Sequence, residues 1–143
     1  MRRLAVAALT LAAVSACGGS GITRTAVQDS VGAAFGNLYA RQQTLLGRPG
    51  RTSASAQAVA SCGRSGATGR PDAGGPGDDW RCTVVWVDAT RLTRATYDLQ
   101  VRPTGCYVAE GPAAVVGAQR LDLPTGGSAV NPLAAFDGCL DLS

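Results

Sequence analysis

The chain has 143 residues, enough for one domain built on one core. All 13 basic residues are arginine and there is no histidine; with Arg2 and Arg3 assigned to a leader, 11 arginines face 10 acids. That balance excludes a nucleic-acid binder driven by bulk charge, and the missing histidine excludes imidazole metal sites and every Ser-His or Cys-His mechanism.

The first 17 residues carry the sharpest signal. Met1-Arg2-Arg3 is a short positive start, followed by Leu4 to Val14, an apolar run of 11 residues interrupted only by Thr10. A membrane-spanning helix needs about 20 apolar residues, so the run reads as the core of a secretory signal peptide. It ends in Val14-Ser15-Ala16-Cys17, which resembles the lipobox of bacterial lipoproteins: a branched apolar residue, two small residues, then cysteine. The resemblance implies cleavage between Ala16 and Cys17, leaving 127 residues that begin with a diacylglyceryl-modified Cys17. Two other readings compete: an ordinary signal peptide with Cys17 a free thiol, and a buried apolar helix of a cytoplasmic domain. Export by the Sec route is expected, since Arg2-Arg3 lacks the rest of a twin-arginine motif. The expected organisation is a signal peptide over 1–16, a lipidated tether over 17–24 built on Gly18-Gly19-Ser20-Gly21, and one domain over 25–143.

Four cysteines remain after Cys17: Cys62, Cys82, Cys106 and Cys139. An even set in an exported chain reads as two disulfides. Three pairings are open; Cys62–Cys82 with Cys106–Cys139 is favoured because each bridge then closes a local loop. A four-thiol metal site is the alternative, with no C-x-x-C pair to support it.

In chain order, Val27, Val31, Ala34/Phe35, Leu38 and Leu45/Leu46 form an apolar stripe at helical spacing from Thr25 to Leu46, interrupted by Gln42. Thr25 with Gln28 fits a capping box and Gly47 a helix stop. Gly32 and Gly36 share one face, where a neighbouring element can approach closely. Ser55 to Cys62 is ambiguous, because its alternating alanines permit a strand while alanine favours helix. Gly63 to Asp79 reads as a long loop with six Gly and two Pro. Then come alternating segments: Trp80 to Val87 with Trp80, Cys82, Val84 and Trp86 on one face, Ala95 to Arg102 with Tyr97, Leu99 and Val101 inward, and Cys106 to Glu110 after the Pro103-Thr104-Gly105 turn. A fourth strand is expected over Val115 to Leu123, turns at Asn131-Pro132 and Asp137-Gly138, and Leu133 and Phe136 packed back near Cys139.

One helix followed by an antiparallel sheet predicts an α+β two-layer domain with two disulfides. The mature chain resembles small lipoproteins of uncharacterised function from high-GC Gram-positive bacteria. The likeness rests on the lipobox, Gly77-Asp78-Asp79-Trp80-Arg81-Cys82, Tyr97 to Val101 with Gly105-Cys106-Tyr107, and Asn131-Pro132-Leu133 with Phe136-Asp137-Gly138-Cys139. It implies a lipid anchor, one amphipathic helix and a cysteine-stapled sheet, and carries no activity with it.

The best candidate site is Asp78-Asp79 beside Trp80, at the mouth of the loop. Paired carboxylates can hydrolyse glycosides, but adjacent residues on an extended chain point opposite ways, so Asp98 or Glu110 is needed as partner. The bland alternative is a solvated turn. Calcium binding by Asp72, Asp78 and Asp79 is a further alternative without a recognised ligand spacing. No glycine stretch qualifies as a phosphate loop, Ser30, Ser53 and Ser55 have neither a histidine partner nor a Gly-x-Ser-x-Gly context, and no cofactor is expected. Trp80, Trp86, Tyr97 and Tyr107 read as core before they read as a binding platform. The expected function is a non-catalytic lipoprotein on the extracytoplasmic face of the cell membrane, anchored through Cys17 and binding or scaffolding an envelope protein or cell-wall polymer. The rivals are a small cell-wall hydrolase using Asp78/Asp79 with Glu110, and an inhibitor or accessory subunit that inserts the 63–79 loop into a partner's cleft.

Overall fold

The computed structural model describes residues 21–66, 70 and 72–143. The expected leader, Cys17, the expected tether through Ser20, and residues 67–69 and 71 lie outside the described residues.

The helix α1 spans Arg24–Leu45, and its cap is Thr23 where the sequence favours Thr25. Thr23 is extended, and its hydroxyl accepts from the Ala26 amide at 3.1 Å, satisfying one of the first free N–H groups. Ile22, just before the cap, is buried in the core, so the fold begins before residue 25. Gly47, at φ +75°, ends the helix.

The buried stripe of α1 runs Val27, Val31, Phe35 and Tyr39 and continues through Gln42 and Gln43. Gln42 therefore does not interrupt it. Its amide donates to the Val116 carbonyl at 3.1 Å and to Asn131 Oδ1 at 2.9 Å, while Asn131 donates to the carbonyls of Val116 and Ala118. Buried amides cost little when their polar atoms are bonded, and here they tie the end of the helix to the segment 116–133.

The ambiguous segment resolves into both structures. Ser53–Ala56 is one helical turn, α2, closed by reciprocal bonds between Thr52 and Ser55. Gln57 then takes a left-handed conformation, and β1 follows over Val59–Arg64. A Cβ on Gly32 would sit 3.4 Å from the Ala60 amide nitrogen, so that glycine is where α1 meets β1. Gln28 of α1 accepts from the outward amide of Cys62 at 3.1 Å. The Gly32/Gly36 face thus packs within its own domain, against Ser53, Ala58 and Ala60.

The main sheet comprises β1, β2 (Gly77–Asp88), β3 (Arg91–Val101), β4 (Cys106–Glu110) and β7 (Ala135–Cys139), antiparallel in the order β1-β2-β3-β4-β7. One face lies under α1 and carries every residue assigned inward in β2 and β3. Phe35 packs there against Trp86 (centroids 4.6 Å apart) and edge-on to Tyr97, which meets Phe136 at 5.2 Å. This is the α+β two-layer architecture expected.

Two further expectations need correction. Val115 to Leu123 is not one strand of this sheet. Pro112 opens a helical turn α3 (Ala113–Val116) that buries Val116, Gly117 ends it, and only β5 (Arg120–Asp122) is extended. It pairs with β6 (Ser128–Val130) as a separate ribbon. Asp137-Gly138 is not a turn but lies inside β7, opposite Val108 and Tyr107. A Cβ at Gly138 would fall 2.5 Å from the Tyr107 hydroxyl, so glycine is there to admit the ring.

Both disulfides form in the favoured pairing, and each joins directly opposed residues of neighbouring strands: Cys62–Cys82 across β1 and β2, Cys106–Cys139 across β4 and β7. The first bridge is buried beneath α1. The second lies on the other face, with Cys139 exposed.

Candidate functional site

Asp78 and Asp79 sit in a β-bulge. Gly77 is opposite Val101 and Trp80 opposite Leu99, so β2 takes three steps where β3 takes two. The extra residue sends the two carboxylates apart, as a bulge re-aims side chains. Asp78 lines a shallow depression of about 140 Å3 on the uncovered face of the sheet, together with Asp98, Gln100, Val108 and Glu110. Asp98 stands opposite Glu110 and accepts from Arg81 Nε at 2.9 Å in an exposed ion pair. Asp98 and Glu110, the residues a carboxylate pair here would need as partners, line the same depression as Asp78.

Asp79 does not join them. Its carboxylate receives Arg64 Nε at 2.6 Å and a second guanidinium nitrogen, and it accepts from the Gly66 amide. Little of either side chain reaches solvent. The hydrogen bond from Arg64 holds the Asp79 carboxyl below the usual carboxylate range. The Arg64 guanidinium also lies 5.4 Å over the Trp80 ring and donates to the Gly74 and Gly75 carbonyls. Trp80 Nε1 donates to the Gly75 carbonyl, and the Gly75 amide to that of Ile22. The limb of the loop returning to β2 is therefore pinned to the sheet and to the start of α1. The loop itself is shorter than 63–79, because β1 runs to Arg64 and β2 starts at Gly77.

Arg64 is the residue that sequence reasoning missed. Its role depends on the register that sets it opposite Trp80, which local spacing does not reveal. Trp80, Trp86, Tyr97 and Tyr107 are all buried, and burial pushes the phenols of Tyr97 and Tyr107 above their ordinary values. They are core, not platform. The calcium alternative needs Asp72, Asp78 and Asp79 to converge, whereas Asp79 is committed to Arg64. Among the described residues no three Asp, Glu or Cys side chains are arranged to hold a metal ion.

The Asp79–Arg64 pair sets an acid sensitivity. Asp79 binds a proton less readily folded than unfolded, so its stabilisation is complete above the unfolded value of about 3.9 and is lost as pH falls through the lower folded value. Asp79→Asn is expected to cost about 1–3 kcal/mol near neutrality, the range for breaking a partly buried pair, and to flatten the acid limb of the stability profile. Urea unfolding at about pH 3 and pH 6 reads both. An unchanged difference between the two pH values in the variant would remove Asp79 as the acid-sensitive group.

The class defined by this fold is a two-layer α+β domain with a disulfide at each side of its sheet. Comparison with family models, with curated proteins and with solved structures finds no match.

Proposed function

We propose that the protein is a lipid-anchored domain on the extracytoplasmic face of the membrane, acting as a non-catalytic module that binds or scaffolds an envelope protein or cell-wall polymer. The observation that carries the binding role is the uncovered face of the five-stranded sheet. Among the described residues all helical cover lies on the other side, and the open face presents the acidic depression at one end and the apolar Val59, Val85, Val87 and Leu92 at the other. Two disulfides support an oxidising compartment, consistent with the exported chain that Val14-Ser15-Ala16-Cys17 implies. No helix among the described residues is long and apolar enough to cross a membrane.

Metabolic labelling with a fatty-acid probe is expected to mark the wild-type chain, and Cys17→Ser to abolish both the label and retention in washed membranes. Full retention of Cys17→Ser would overturn the anchor. One observation favours a second reading, a small cell-wall hydrolase: Asp78, Asp98 and Glu110 share the depression. Hydrolysis of cell-wall fragments by the wild type, lost in Asp78→Asn and Glu110→Gln with the fold intact, would replace the non-catalytic reading.

A further inference from the structure

The strand β3 is 11 residues long, about 33 Å at the usual rise, so its two ends mark opposite poles of the domain. At one pole lie the Asp88–Arg91 hairpin, exposed Leu92 and the later turns of α1, where the Tyr39 hydroxyl donates to Asp88. At the other lie the turn Arg102-Pro103-Thr104-Gly105, the start of α1 and the segment 140–143. Three contacts bind that second pole together. The Leu140 amide donates to the Gly105 carbonyl at 3.0 Å, the Gly75 amide donates to the Ile22 carbonyl, and Leu142 wedges between Gly21 and Gly105. Leu142 remains 40% exposed, with Arg24, Arg102 and Thr104 exposed at the same pole. Asp141 and Asp137 are opposing charges there; the Asp141 carboxylate is turned toward Ser143, and Asp137 lines the same depression as Arg102.

Only three residues separate Cys17 from Gly21, four chain steps that span at most about 14 Å. A lipid on Cys17 holds that residue at the headgroup plane, so Gly21 lies close to the bilayer while the hairpin pole stands beyond its reach. We propose that the pole formed by the 102–105 turn and the 140–143 segment is the surface the domain lays on the bilayer, with Leu142 entering the interface and Arg24 and Arg102 meeting lipid phosphates. This rests on the anchoring of Cys17. Leucine gains by leaving water, and arginine keeps its charge among phosphates while its stem lies along apolar surface. The strands then rise away from the membrane, and the open sheet face looks sideways along the envelope.

The test uses the full lipidated chain, purified from membranes and reconstituted in vesicles of phosphatidylcholine with phosphatidylglycerol, with and without brominated acyl chains. Tryptophan is placed by Leu142→Trp, and separately by Thr104→Trp in case the first disturbs its glycine contacts. Leu92→Trp is the control, and the native Trp80 and Trp86 are buried. Emission from 142 and 104 is expected to fall about twofold with brominated lipid, and that from 92 to stay unchanged. Equal quenching at all three positions, or none at 142 and 104 in protein whose mass shows the lipid, would overturn the orientation. A mass without lipid on Cys17 would instead overturn the anchor, and the orientation with it.

Discussion

Removing the Cys62–Cys82 bridge as Cys62→Ala/Cys82→Ala is expected to cost about 2–5 kcal/mol and more than removing Cys106–Cys139 in the same way. Loop closure alone points the other way. The bridges enclose separations of 20 and 33 residues, and the longer loop is worth about 0.4 kcal/mol more in the chain-entropy account. Packing reverses the order. Cys62 and Cys82 are 4% and 0% exposed, so their loss also opens space beneath α1, where each missing buried group adds to the cost. Cys139 is an exposed residue and Cys106 a half-buried one, so a reductant should reach this bridge without unfolding. Timed reduction with alkylation and mass spectrometry should therefore find Cys106 and Cys139 modified before Cys62 and Cys82, and denaturant titration of the two double variants should rank them as stated. The reverse order in either measurement would show that burial does not govern these bridges.

Trp80→Ala carries the second large effect, about 3–5 kcal/mol, as expected for emptying a fully buried indole site. It also removes the N–H bond to Gly75 and the surface beneath Arg64, so the return limb of the loop should be nicked by protease before the domain unfolds. Trp86 provides the contrast on the same strand. It is almost as buried, but its indole N–H has no hydrogen-bond partner among the described residues. Trp86→Phe gives up apolar area while removing an unsatisfied donor, and Trp80→Phe gives up a satisfied one, so Trp86→Phe should be the milder of the two. Chemical denaturation of the three variants decides it; a Trp80→Ala loss below about 1 kcal/mol would deny the indole its central place.

The sheet was legible because alternation is a local signal: Trp80-Cys82-Val84-Trp86 and Tyr97-Leu99-Val101 need no knowledge of partners to be assigned to one face. What failed depended on neighbours. Gln42 reads as a break in an apolar stripe until Asn131 and Val116 supply its bonds. Asp137-Gly138 reads as a turn until Tyr107 explains the glycine. Val115 to Leu123 reads as a strand because Val115 and Val116 are β-formers, but Pro112 and Gly117 impose one helical turn between them. At the site, alternation along an extended chain already argues that Asp78 and Asp79 point different ways, and Asp98 and Glu110 enter only as the partners such a pair would need. The bulge and the claim of Arg64 on Asp79 were not legible, since both are properties of register.

The positions of the two bridges carry one more consequence. β1 and β7 are the outermost strands of the sheet, and each is covalently joined to its inward neighbour. An outer strand is what a chain lends when two copies exchange segments, and what peels first when backbone edges seek new partners. In the oxidised protein neither can be lent. The Cys62 amide, which faces away from β2, is occupied by Gln28 as well. Crowded side by side on a surface, such domains can collide without trading strands, and that protection lasts only while the sulfurs stay paired.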